Sequence, residues 1–209
     1  MLPLLHTFLL CPPLLLAPYS PPCHTQVEGS VLIWGKSLDY YTNNLSLLQR
    51  LSSNPALHLK SVLPAAYQNR LRGLSNVEYL GHLSPQDWLK TMHETHFVLG
   101  LKDPLLGPTG IEAMLYGCVM LNPTYTEQEV RKNRGRGHGS QHGFLEDYVG
   151  GERVCTVDYA DDVAVDACLS RDTLTDGLLV EEFTREAYER RVVSVFGDIV
   201  RNAAANQGA

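Results

Sequence analysis

The sequence predicts an α/β domain, a Rossmann-like parallel sheet with helices on both faces. Three observations carry that expectation. Short unbroken apolar runs such as Val31-Leu32-Ile33-Trp34 and His96-Phe97-Val98-Leu99 recur along the chain, and unbroken runs suit strands covered on both sides. Between them, apolar residues return at helical spacing. Strand and helix then alternate about six times, as a parallel sheet with crossover helices requires.

The first strand ends at Trp34, and Gly35-Lys36-Ser37 turns the chain. Leu45, Leu48 and Leu51 mark a helix, residues 57–63 a second apolar segment, and Val77-Glu78-Tyr79-Leu80 a third strand closed by Gly81. Ser84-Pro85-Gln86-Asp87 opens a helix. Ser84 can cap it, Pro85 suits the first helical position, and Asp87 puts negative charge in the first turn. Trp88, Leu89 and Met92 are expected to face the core. The strand at residues 96–99 ends at Gly100, and a helix over 109–116, stopped by Gly117, leads into a strand over 118–121. Residues 154–157 form the last strand. Helices over 161–169 and 184–196 close the chain, the second with an apolar stripe of Tyr188, Val192, Val195 and Phe196. Ligands in such folds bind beyond the carboxyl ends of the strands, which singles out the loops after Trp34, Leu99 and Leu121.

The chain of 209 residues is expected to divide into an apolar, proline-rich segment over 1–30, a main domain over 31–200 and a tail over 201–209. Residues 2–17 are apolar but broken by Pro3, Pro12 and Pro13, and they lack a basic start. A signal-like leader, a linker and an artefact of the assigned start stay open as alternatives. A net charge of −6 argues against a nucleic-acid partner held by charge. The five cysteines show no metal-type spacing. Cys118, Cys155 and Cys168 stand in apolar stretches and are expected as buried thiols. Asn44-Leu45-Ser46 is an acceptor sequence for N-glycosylation. Residues 131–143 are glycine-rich without an apolar anchor, and read as a loop that a ligand would order.

The stretch from Gly100 to Pro123 holds the richest chemistry. Gly107, Pro108, Thr109 and Gly110 form a small-residue turn into a helix, where backbone can come close to a ligand. Free amides at a helix start, with the helix dipole, favour an anion. Glu112, read as lying in the first turn, can accept hydrogen bonds from both hydroxyls of a ribose. A glutamate there can equally do no more than complement the dipole. Lys36, past the first strand on the same sheet edge, can place a point charge on a diphosphate. Arg131, Lys132, Arg134 and Arg136 can close over a leaving diphosphate and neutralise its developing charge. The pattern points to a nucleotide sugar as ligand. His138 and His142 have no third partner at zinc-like spacing, so no metal is expected. Neither a nucleophile elbow nor a phosphate-loop lysine is present.

Trp34-Gly35-Lys36, Phe97-Val98-Leu99-Gly100-Leu101, Gly107-Pro108 with Glu112-Ala113, Gly117-Cys118 with Leu121-Asn122-Pro123, Ser140-Gln141-His142 and Thr156-Val157-Asp158 occur in this order. Over residues 31–196 the chain resembles the C-terminal part of the alpha-1,6-mannosylglycoprotein 6-beta-N-acetylglucosaminyltransferases, glycosyltransferase family 18. The resemblance implies the donor-binding half of a two-domain GT-B transferase. It implies UDP-N-acetylglucosamine as donor, a mannose of an N-glycan glycoprotein as acceptor, and inversion without a metal ion or cofactor. It implies a Golgi membrane or lumenal setting. Gly107, Pro108, Thr109 and Glu112 map onto the donor pocket, Gly100 onto the strand end before it, and Lys36 onto the turn after the first strand. Arg134 or Arg136 takes the place of the family's basic contact. The family's N-terminal acceptor domain supplies the carboxylate base, and the sequence offers no room for it before Val31, so no catalytic residue is assigned in this chain. The loop 102–106 lacks the aromatic residues the resemblance implies there. A non-catalytic nucleotide-sugar-binding module, a truncated paralogue and a GT-B transferase for another sugar are the competing readings.

Overall fold

The computed structural model describes residues 26–132, 139–174 and 176–207. The apolar stretch at 2–17, Cys11, Cys23, Arg134, Arg136 and His138 lie outside the described residues. The chain divides into two compact units, the larger of which ends at Leu178. In order, the larger unit holds β1 (Ser30–Trp34), α1 (Leu38–Asn43), α2 (Leu45–Ser52), β2 (His58–Ser61), a 3₁₀ turn (Ala65–Arg70), β3 (Val77–Tyr79) and α3 (Pro85–Glu94). It continues with β4 (Phe97–Gly100), α4 (Pro108–Leu115), β5 (Val119–Pro123), α5 (Glu127–Lys132), α6 (Gly143–Val149), β6 (Val154–Val157) and α7 (Asp162–Leu169). The strands form one sheet in the order β3-β2-β1-β4-β5-β6, and every pairing is parallel. This is the expected Rossmann-like arrangement.

Both faces of the sheet are covered. Val31, Ile33, Phe97, Leu99, Val119, Leu121, Cys155 and Val157 share one core with Leu47, Leu48 and Leu51 of α2 and Val165 and Cys168 of α7. The alternate residues Leu32, Trp34, Val98 and Met120 are buried as well, as a two-period strand between two helical layers demands. On that second face the Met120 sulfur and the Leu145 side chain of α6 lie against Gly110 of α4. Register aligns Ile33 with Leu99 and Leu99 with Leu121, so the carboxyl ends of β1, β4 and β5 meet along one edge.

Local signals act as the residues dictate. Ser84 accepts from the Asp87 amide at 3.1 Å and caps α3, with Pro85 at its start. Gly117 takes φ +72° after α4, a conformation that costs glycine nothing. Several expectations are corrected. Met92 is buried, but Leu89 is 43 % exposed, because α3 turns that position outward. Cys155 of β6 and Cys168 of α7 are not separate thiols: they form a disulfide across a Cα–Cα distance of 6.0 Å. Among the described residues Cys118 is the free thiol; it is buried, and burial pushes it well above its usual range. Residues 140–142 are not a surface loop either. Ser140, Gln141 and His142 are fully enclosed and anchored by polar contacts instead of apolar ones. Asn44, in the acceptor sequence for glycosylation, is buried, and its Nδ2 donates to the carbonyls of Tyr40 at 2.8 Å and Leu101 at 3.4 Å.

The described part of the smaller unit is residues 179–207, a 3₁₀ turn (Glu181–Phe183) followed by α8 (Arg185–Gln207). The helix runs well past residue 196. The expected stripe is not a buried one, since Val195 and Phe196 are 42 % and 62 % exposed. Among the described residues no helix is long and apolar enough to cross a membrane.

Candidate functional site

The strand order reverses between β1 and β4, so the loops leaving these two strands diverge at the switch point of the sheet edge, the place where such folds bind ligands. The sequence-predicted residues divide themselves over the two sides of that point. Gly35-Lys36-Ser37 leaves β1, with Lys36 exposed and Gly35 packed under Tyr41 and Leu101. Residues 101–107 leave β4 and enter α4 through Gly107, Pro108 and Thr109.

The start of α4, like that of α2, has no side-chain cap. Side chains cap α1 (Ser37), α3 (Ser84), α6 (His142) and α7 (Asp161), whereas Gly107 at the N-cap of α4 offers none. An uncapped helix start leaves amides and the positive end of the dipole for an outside acceptor, such as a phosphate oxygen. The glycines nearby have a cause beside the one expected. A Cβ on Gly107 would collide with the Trp34 ring, and one on Gly110 would press on Leu145, His142 and Met120. One on Gly100 would strike Gln141 Oε1. Internal packing thus gives a reason for glycine at 107 and 100 apart from any ligand, while at Gly110 the contacts are with side-chain ends that can shift.

Glu112 needs a correction as well. The helix begins at Pro108, so Glu112 is its fifth residue and no acidic group lies in the first turn. The carboxylate therefore sits one turn along the helix from its first amides, where it would repel an anion at the helix start less. It is half-buried, and its Oε2 accepts from the Trp88 indole Nε1–H of α3 at 3.1 Å.

The loop after β4 is unusual and firmly held. Lys102 and Leu106 take φ +72° and +54°, a costly conformation for non-glycine residues that survives only when the surroundings impose it. Gln141 imposes much of it. Its Oε1 accepts from the Lys102 amide at 2.9 Å, and its Nε2 donates to the Pro104 carbonyl at 3.1 Å. Its backbone carbonyl accepts from the Leu106 amide, and its amide donates to the Pro123 carbonyl, both at 3.0 Å. Lys102 Nζ also meets Glu129 Oε1 at 3.0 Å. Burial works against ionisation of Glu129, but bonds from the Thr126 amide and Lys102 outweigh it, and the carboxyl lies below its ordinary value.

A buried polar network backs this loop. Asn122 Nδ2 donates to Ser140 Oγ and Thr156 Oγ1, and its Oδ1 accepts from the His142 amide at 2.8 Å. Ser140 Oγ donates to Glu146 Oε2 at 2.7 Å. Tyr159 places its hydroxyl 2.7 Å from the Gly100 carbonyl and 3.2 Å from that of Leu121, and burial pushes this phenol far up. Sequence reasoning found Asn122 and Gln141 only as parts of a resemblance, and missed Trp88 and Tyr159. Among the described residues no group of three or more His, Cys, Asp or Glu is placed to hold a metal ion. His142 instead accepts from the Leu145 amide at the start of α6.

A six-stranded parallel sheet with its switch point between β1 and β4 is the build of a doubly wound, Rossmann-like α/β domain. The chain belongs to glycosyltransferase family 18, whose sequence model matches residues 21–197. It is similar to the alpha-1,6-mannosylglycoprotein 6-beta-N-acetylglucosaminyltransferase A of Homo sapiens and that of Cricetulus griseus. Each is 28% identical over 140 residues, or 63% of this chain and 18% of the relative. The chain thus matches less than a fifth of the length of these relatives. A solved structure titled as the glycotransferase of kitacinnamycin covers 73% of this chain and 37% of its own at 17% identity and a TM-score of 0.41, too loose a likeness to argue from.

Proposed function

We propose that this chain forms the donor-binding half of an N-acetylglucosaminyltransferase and holds UDP-N-acetylglucosamine at the carboxyl edge of its sheet. The observation that carries the reading is the start of α4, without a side-chain cap, in the loop that leaves β4 at the switch point; Lys36 stands in the loop that leaves β1, and Glu112 is the fifth residue of α4. The amides of Thr109 and Gly110 take the diphosphate, Lys36 adds charge, and Glu112 accepts from the ribose hydroxyls. Arg134 and Arg136 are assigned to the leaving diphosphate on charge alone.

In the proposed reaction a mannose hydroxyl of an N-glycan attacks the anomeric carbon from the face opposite UDP. The bond from that carbon to the phosphate oxygen breaks, and UDP leaves with the electron pair. The hydroxyl proton passes to a carboxylate base of an acceptor-binding domain. The product is a beta-1,6 linkage with inverted configuration. Stabilisation of the leaving diphosphate by amides and cations, in place of a metal ion, is the part this chain contributes. The Cys155–Cys168 disulfide suits a lumenal setting such as the Golgi, since such bonds persist in oxidising compartments.

Titration of the purified chain with UDP, UDP-N-acetylglucosamine, UDP-glucose and a GDP-sugar tests the reading. Saturable binding of the two first-named ligands is expected. Absence of binding at millimolar concentration overturns the reading, and preference for another donor redirects it to a different sugar.

A further inference from the structure

We infer that Trp88 is a positioning residue that sets this site's preference for a ribose over a deoxyribose nucleotide, acting through Glu112. The inference rests on the reading of Glu112 as the group that meets the ribose hydroxyls, and it adds what makes that glutamate selective. Helices α3 and α4 follow β3 and β4 in a parallel sheet, so both run inward from the same carboxyl edge. Trp88 and Glu112 stand early in their helices and meet at 3.1 Å, indole Nε1 to Oε2. Trp88 is itself held. Its amide donates to the Ser84 carbonyl at 2.8 Å, and Ser84 Oγ closes the first turn on the Asp87 amide.

The chemistry of the pair is one-directional. An indole N–H donates and cannot accept, so its partner oxygen must act as an acceptor. A carboxylate has about four lone-pair sites, and the indole takes one of them. Glutamate has three rotatable side-chain bonds, and a fixed carboxylate loses less freedom on binding than a wandering one. Trp88 thus fixes the plane in which Glu112 presents its oxygens. A nucleotide lacking the 2′-hydroxyl gains little from that arrangement. Discrimination between the two sugars, more than affinity in general, is what the pair confers.

The test compares UDP with 2′-deoxy-UDP by calorimetric titration of the full chain and of the Glu112→Gln and Trp88→Phe variants, with each variant's melting temperature recorded. For the unaltered chain we expect about a tenfold preference for UDP, the size of one hydrogen bond to a charged group. Glu112→Gln is expected to erase it. Trp88→Phe keeps an aromatic ring but removes the donor, and is expected to reduce the preference to about twofold while leaving affinity for 2′-deoxy-UDP near its original value. A full preference in Trp88→Phe overturns the inference and leaves the reading of Glu112 intact. No preference in the unaltered chain, or no effect of Glu112→Gln, overturns both. If Trp88→Phe does not fold, the indole N–H resonance of Trp88, one of only two tryptophans in the chain, carries the test in the unaltered protein. It is expected to shift with UDP and much less with 2′-deoxy-UDP, and equal shifts refute the inference.

Discussion

At the scale of single residues, Gly107 has a second explanation beside the one its motif suggests. Glycine-rich turns before helices suggest a ligand against the backbone, and Gly107 does open the helix on which the proposed donor site depends. Yet the space its missing side chain leaves is filled by the ring of Trp34, which is only 3 % exposed and has no room to retreat. The two explanations predict different mutants. If the glycine only admits a ligand, Gly107→Ala weakens UDP binding and spares stability. The packing against Trp34 leads us to expect a loss of about 1–3 kcal/mol in unfolding free energy, as overpacked cores show. The backbone at this position, φ −69°, accepts alanine without strain, so any loss reports the ring contact. Urea denaturation of the variant without ligand measures it.

At the scale of elements, the loop after β4 and the edge strand β6 are both held by residues distant in sequence. Lys102 pairs with Glu129, and their charge contact has a signed pH dependence. The folded carboxyl lies below the ordinary glutamate value of about 4.3. Its contribution to stability is therefore complete above that value and fades as the pH falls through the lower, folded one. Acid titration of unfolding free energy is expected to show a shallower decline below about pH 4.3 for Glu129→Gln than for the unaltered chain. A parallel decline refutes the assignment. Edge strand β6 is tied to α7 by the Cys155–Cys168 bond, which spans 13 residues. Closing a loop of that size stabilises by about 3 kcal/mol in the chain-entropy account. Reduction, or Cys155→Ser with Cys168→Ser, is expected to lower unfolding free energy by about that amount in urea, and an unchanged midpoint contradicts it.

At the scale of the whole molecule, what was legible in the sequence follows from the range of the forces involved. Strands such as Val31–Trp34 and Phe97–Leu99 announced themselves because burial on both faces selects each residue separately, and Ser84 and Gly117 marked helix ends through contacts with their own neighbours. The pairing of Trp88 with Glu112 spans 24 residues, and that of Gln141 with Lys102 spans 39. No local periodicity encodes such contacts, and polar side chains that are buried for a partner look the same in sequence as solvated ones. Residues 140–142 were read as surface for that reason. The same long-range contacts predict how the molecule responds to its donor. They assemble the sheet edge only in the folded state, so a ligand bound there stabilises folding by mass action. At one hundred times its dissociation constant UDP adds about 2.7 kcal/mol, which for a chain of this size raises the melting temperature by about 5–10 °C. If amides and cations hold the diphosphate, as proposed, the increase persists in EDTA and does not grow when manganese is added. A shift that appears only with manganese places a metal ion between protein and diphosphate and removes the uncapped start of α4 from its proposed role.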